Sequence, residues 1–247
     1  MNIASLHPWY YPVEINGMQV TPGVGSPHSA SELMARTAYR RDILVDQVLE
    51  RRSFVGESLL DVGCNCGYWS SLYAAAGASS FVGVEGRDIF VNQGRLLWSS
   101  QKELHDCQHR FVVGDVMAGG VWADIAKDAP YDFCLCAGIM YHVSDPLWLL
   151  QQILSVTRHA VLIDTRVAEA GHKKSKVFRE KGDWKFDAIP GNRMACHPTL
   201  AGLSDALMDA DFSVERIVSR LPLPKEMQGN DNYDAGRRVT LLASKRV

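Results

Sequence analysis

The stretch LLDVGCNCGYW, Leu59 to Trp69, sets the reading of the whole chain. An apolar run carries one acidic side chain, Asp61, near its end; Gly63 and Gly67 follow, and then a helix-like segment begins. Glycine lacks a Cβ, so the backbone turns sharply there and approaches a ligand where another residue would collide. The spacing is not that of a diphosphate-binding turn. Such a turn wants G-x-G-x-x-G so that the helix start holds a pyrophosphate, whereas here Asn65 stands between the two glycines and no such spacing exists. The expected unit is strand, loop and helix, with an uncharged ligand against the loop.

Working outward, short apolar runs alternate with longer amphipathic segments. The runs are Ser58 to Val62, Ser80 to Glu85, Arg110 to Val113, Tyr131 to Cys136 and Ala160 to Asp164. That alternation predicts βαβ units and a mainly parallel sheet. A helix from about Pro198 to Ala210, a strand from Phe212 to Val218 and a last one from Val239 to Ser244 bring the sheet to seven strands. Before it, Leu33, Tyr39, Ile43, Leu44 and Val48 share one helical face, so a helix is expected from Ser31, its cap, to Arg51. Residues 1 to 30 (including HPWYYPVEINGMQVTPGVGSPHS) lack lasting periodicity but are too apolar to leave in water, and read as an ordered cap. After Arg166, EAGHKKSKVFREKGDWKFDAIPGNR breaks the rhythm and reads as a lid or substrate-side insertion after the fifth strand. The expected organisation is one domain over 1–247: cap and helix 1–57, core 58–167, insertion 168–197 and sheet completion 198–247.

Two further acids sit at successive strand ends. Glu85, in FVGVEG, is placed to accept both hydroxyls of a ribose, and Asp115, in VVGDV, an adenine amino group. A lone acidic residue is usually solvated surface, but three at three consecutive strand ends are harder to dismiss.

Composition narrows the classes. Hydrophobic residues make up 47% and charged residues 22% of 247, which fits a globular chain rather than disorder. No apolar run approaches the roughly 18 residues of a spanning helix, and MNIASLHP lacks a signal-peptide pattern, so a cytoplasmic protein without membrane association is expected. A net charge of −2 supplies no global attraction to nucleic acid. The six cysteines give two C-x-C pairs and no C-x-x-C, so neither a disulfide framework nor a metal site is expected. Nothing in the composition specifies an oligomeric state.

The motifs Asp61, Gly63 and Gly67, then Glu85, then Asp115, resemble the class I methyltransferases that use S-adenosylmethionine (SAM). The resemblance implies a Rossmann-like α/β fold. It assigns Asp61 and the glycine loop, Asn65 included, to the methionine end of SAM, Glu85 to the ribose and Asp115 to the adenine, with Met140 also among the cofactor residues. A narrower resemblance rests on CAGIMYHVSDPLWLLQQI (Cys136 to Ile153), WYYPVEI near the start and NRMACHPTLAGLSDALMDADF. These are similar to the carboxymethyltransferases that modify the wobble uridine of tRNA and to related methyltransferases. Those enzymes have a longer N-terminal region and basic residues directly after the Tyr-His pair. Here Val143 and Ser144 follow, which favours ordinary SAM over a carboxylated cofactor.

Methyl transfer is an in-line displacement, so the protein has to align a nucleophile, exclude water and, for some acceptors, remove a proton. Tyr141 and His142 lie just beyond the fourth strand, at the carboxyl edge where open α/β sheets bind ligands. His142 is the general-base candidate on chemical grounds, and reads equally as a satisfied, partly buried histidine. Tyr141 is the companion contact. Trp9, Tyr10 and Tyr11 are candidates to wall a substrate pocket, or ordinary packing. The leading expectation is a SAM-dependent methyltransferase acting on an oxygen or nitrogen nucleophile of a small metabolite. A tRNA-modifying enzyme, with Lys173, Lys174, Lys176, Arg179, Lys181, Lys185 and Arg193 as a phosphate-binding face, is the second. A non-catalytic binding module is the third.

Overall fold

Strands apolar on both faces are stable only between two covering layers, and the apolar runs take that central position. The computed structural model describes residues 3–26, 28–169, 174–180, 194–229 and 231–246. The cap carries a hairpin, β1 (Val13–Ile15) and β2 (Met18–Val20), then α1 (Ala30–Arg41), a π turn over Asp42–Asp46 and α2 (Gln47–Leu49). Next come β3 (Ser58–Val62), α3 (Tyr68–Ala75), β4 (Ser80–Glu85), α4 (Asp88–Ser100) and β5 (Gln108–Val113). They are followed by α5 (Gly119–Ile125), β6 (Tyr131–Ala137), α6 (Pro146–Ser155) and β7 (Thr157–Arg166). Beyond these lie β8 (Lys176–Arg179), β9 (Met194–His197), α7 (Leu200–Asp209), β10 (Phe212–Ile217) and β11 (Arg238–Lys245).

The seven-stranded sheet runs β10-β11-β7-β6-β3-β4-β5. The five strands from β7 to β5 are parallel, and β11 is antiparallel to both β7 and β10. This is the expected Rossmann-like, mainly parallel class I architecture. Strand order reverses between β3 and β6, which opens a crevice at their carboxyl ends. Alternate side chains serve the two covering layers. Leu59, Phe81, Phe133 and Leu162 pack against Ile43, Leu44, Tyr73 and Trp98 on one face. Leu60, Val82, Cys134 and Ile163 pack against Trp122, Leu149, Ile153 and Leu203 on the other.

Several local expectations are corrected. The first helix is capped by Ser29, whose Oγ accepts from the Glu32 amide at 3.2 Å, not by Ser31. Its helical path reaches Leu49 but is interrupted by the π turn, where buried Asp42 accepts from Gln47, Ser219 and Arg220 at 2.7–3.0 Å. Such bulges re-aim side chains within a helix. The cap is not devoid of strand: Asn16 and Gly17 both have positive φ (51° and 78°), the geometry of a type I′ hairpin turn joining β1 and β2. Within the insertion, β8 and β9 form an antiparallel pair outside the main sheet. Lys173, Lys181, Trp184, Lys185, Phe186, Ile189 and Arg193 lie outside the described residues. Among the described residues no helix is long and apolar enough to cross a membrane.

Candidate active site

The loop after β3 is held by backbone geometry. Gly63, Asn65 and Gly67 all adopt left-handed φ (75°, 53° and 68°), so the chain zigzags against the crevice. A Cβ on Gly63 would lie 2.6 Å from Cβ of Ile139, and one on Gly67 2.8 Å from Trp98 Nε1. Both positions therefore require glycine sterically as well as conformationally. The amides of Gly63 and Cys64 donate to the Val84 carbonyl at 2.9 Å, which ties the loop to the end of β4.

Glu85, the last residue of β4, is almost wholly buried and lines a cavity of about 500 Å³ with Gly63 and Asn65. It accepts from the amides of Asn65 and Arg87 at 3.1 Å, and from Arg87 Nε at 2.7 Å. Asp61 lies deeper: it is 2% exposed and accepts from Ser70 Oγ of α3 at 2.7 Å rather than lining the cavity. Burial pushes its carboxyl up to about 7, with Ser70 opposing and Glu85 adding to the rise.

On the other side of the crevice, Tyr141 and His142 follow Met140 in a single 3-10 turn after β6. Tyr141 and His142 line the cavity, with Ile139, whereas Met140 turns into the core. His142 Nδ1 lies 2.6 Å from Glu180 Oε1, a residue just past β8. With Glu180 ionised, this contact assigns the Nδ1 proton and leaves Nε2 the basic nitrogen. Burial pushes the imidazolium down, but Tyr141 and then Glu180 outweigh it, so the ring is held above its ordinary value. Burial likewise pushes the Tyr141 phenol up, yet Arg238, His142 and Arg166 overcome this and bring it down to about 8.

The aromatic candidates divide. Tyr10 and Tyr11 line the cavity; Tyr11 stacks on Tyr68 with centroids 4.6 Å apart. Trp9 is fully buried in the core beside the sheet and does not line the cavity. Asp115, which accepts from the Met117 amide at 2.8 Å, and Gly67 also lie outside its lining.

Sequence reasoning missed Arg36, Arg40, Arg87, Arg166 and Glu180. For α1 a signal existed: Leu33, Arg36, Thr37 and Arg40, at i, i+3, i+4 and i+7, form one helical face, and all four line the cavity. Glu180 had no local signal, because its partner is 38 residues away.

This arrangement fits SAM: a backbone loop without phosphate-binding spacing, a buried carboxylate at the next strand end and an aromatic-walled cavity beside both. Fold and site together define a class I methyltransferase scaffold with SAM as its cofactor. The chain belongs to the methyltransferase domain family, which matches residues 35–217. Among curated relatives, a tRNA U34 carboxymethyltransferase of Edwardsiella ictaluri (strain 93-146) is 26% identical over 94% of this chain and 64% of its own length. A tRNA U34 carboxymethyltransferase of Enterobacter sp. (strain 638) is 28% identical over 68% of this chain and 47% of its own. The chain thus spans about half to two thirds of these relatives. Of solved structures, the N-terminal domain of EvdMO1 with S-adenosylhomocysteine (SAH) bound has a TM-score of 0.67 at 20% identity, covering 99% of this chain and 93% of that one. Magnesium protoporphyrin IX methyltransferase from Synechocystis PCC 6803 with bound SAH has a TM-score of 0.56 at 16% identity, covering 88% and 87%. These two likenesses concern the fold.

Proposed function

We propose that this chain transfers a methyl group from SAM to an oxygen or nitrogen nucleophile of a small metabolite. The observation that carries the reading is that the His142–Glu180 pair and Tyr141 line the same cavity as Gly63, Asn65 and Glu85. SAM, when bound, supplies a methyl carbon on a cationic sulfur that leaves as a neutral thioether. Glu85 accepts the ribose hydroxyls once the Arg87 side chain gives way. The loop of Gly63 and Asn65 supports the methionine end, with Gly67 and Asp61 bracing it from behind the cavity wall; Asp115 stays assigned to the adenine by its place after β5, while Met140 packs in the core. His142 Nε2 accepts the acceptor's proton, while Glu180 holds the tautomer and Tyr141 faces the reacting atoms. Tyr10 and Tyr11 exclude water, with Trp9 as their anchor in the core. In this reading one domain spans 1–247, with 1–57 as cap and helix, 58–167 as core, 168–197 as insertion or lid and 198–247 as sheet completion.

Calorimetric titration of SAM into the wild type, Asp61→Ala and Glu85→Ala tests it. Wild-type binding is expected, weakened about tenfold or more in Glu85→Ala, the size of hydrogen bonds to a charged group. No binding to the wild type overturns the reading.

A second reading, a tRNA-modifying carboxymethyltransferase, is favoured by the names of the curated relatives and by exposed Lys174, Lys176 and Arg179 on and beside β8. Tight tRNA binding that falls steeply with salt would favour it over the first.

A further inference from the structure

The cavity wall formed by α1 and β7 carries more positive charge than its acids neutralise. Four guanidiniums there share two buried carboxylates. Asp164 accepts from Arg40 at 2.8 Å, from Arg238 Nε at 2.8 Å, and from Tyr233 and Thr240 at 2.6 and 2.7 Å. Asp231 accepts from Arg36, Arg166 and Arg238 at 2.7–2.9 Å. Glu32 reaches Arg36 only at 3.5 Å and is closer to His28, at 2.8 Å. The two acids lining the cavity are engaged elsewhere, Glu85 by Arg87 and Glu180 by His142. With Glu32 included, three carboxylates face four guanidiniums, so the wall keeps one positive charge in excess.

Arg166 brings that surplus to the cavity. Its Nε is bound to Asp231, and its guanidinium carbon sits 4.7 Å from the centroid of the Tyr141 ring. Its two terminal amino groups have no hydrogen-bond acceptor among the described residues. Arg36 donates to the other oxygen of the same Asp231 carboxylate, so the two cations are bridged side by side. Arg40 adds a buried Nε that also has no acceptor. Free N–H donors in a planar fork match a carboxylate. Tyr141 is itself only 4.2 Å, ring to ring, from His142.

Resting on the methyltransferase reading above, we propose that Arg166, with Arg36 beside it, binds a carboxylate of the acceptor. The acceptor is then a compact hydroxy- or amino-carboxylate, with its acid on Arg166 and its nucleophilic atom near His142. SAM carries a carboxylate of its own, so the experiment has to separate the two sources.

Protein saturated with SAH is titrated with salicylate and lactate beside their neutral amides, and SAH itself is titrated into wild type, Arg166→Met and Arg166→Lys. The acids are expected to bind about tenfold tighter than the amides, as a charge-assisted pair requires. Arg166→Met should remove that difference and leave SAH affinity within about twofold, and Arg166→Lys should restore part of it. Equal binding of acids and amides, or no binding of either acid, overturns the proposal, and the wild-type comparison does so without reliance on a variant's folding. A parallel loss of SAH affinity in Arg166→Met also overturns it, by assigning Arg166 to the cofactor's carboxylate. If SAH fails to bind the wild type, the methyltransferase reading falls first and this proposal with it.

Discussion

Tyr141 and His142 titrate as neighbours, because each ring lies in the other's field and three charged groups hold the pair. Tyr141 feels Arg238 and Arg166 from β11 and β7; His142 feels Glu180 from beyond β8. The phenol therefore ionises near 8, well below Tyr11, which burial pushes up to about 12. An ultraviolet titration should show one tyrosine ionising near 8 in the wild type and none there in Tyr141→Phe. For His142 the sign is the opposite of a simple buried histidine. Its folded value is raised, so the neutral base accumulates only as pH rises through a value above the ordinary 6.5. The activity profile should rise in that range, His142→Ala should lower kcat by about 10²–10⁴, and Glu180→Gln should move the rise to lower pH. An unmoved profile in Glu180→Gln would remove Glu180 from the mechanism. The pair Tyr141–His142 was legible from its place after the fourth strand. Glu180 was not, since a contact across 38 residues leaves no local pattern.

At the scale of elements, the junction of β3 and α3 is the least forgiving part of the fold. Gly67 stands at φ 68° as the residue before α3, with Trp98 of α4 pressed against its missing Cβ at 2.8 Å. Gly67→Ala should cost about 1–3 kcal/mol from left-handed strain and overpacking together, read as a lower urea midpoint with an unchanged slope. A loss of under a few tenths would mean that α4 moves aside freely. The glycines were legible because strand, turn and helix carry their chemistry locally. The first helix was legible on the face that meets the core; Leu33, grouped with that face by its spacing, instead borders the cavity with Arg36, Thr37 and Arg40, a face that gains meaning only from that cavity. The β1–β2 hairpin was signalled by Asn16-Gly17, but strands of three residues are too short for a period to emerge.

Across the whole molecule, the buried network around Asp164 and Asp231 joins α1, β7, β11 and the segment before β11. Arg40 reaches Asp164 from α1, Arg238 reaches it from β11, and Tyr233 closes the other oxygen. Removing one partner of a buried ionic network strands the others, so Asp164→Ala should destabilise by about 3–5 kcal/mol in denaturant unfolding. Burial raises the Asp164 and Asp231 carboxyls, but Arg238 leads the cations that overcome it, and both fall below the usual carboxylate range. A depressed carboxylate contributes stability above its unfolded value, about 3.9, and loses it as pH falls towards the folded one. The wild type should therefore lose stability steeply below about pH 4, and Asp164→Ala should show a shallower slope there.

What the sequence determined by itself was the sheet and the glycine loop after β3. Apolar runs, strand-end acids and glycine loops are dictated by neighbours within a few positions. What only the tertiary structure decided was the opposite wall. Arg36 and Arg40 come from α1, Arg166 from β7, Arg238 from β11 and Glu180 from beyond β8, and each looks like ordinary surface charge in isolation. Their character as a site arises from burial against one another, a property of the packed molecule that no single segment encodes.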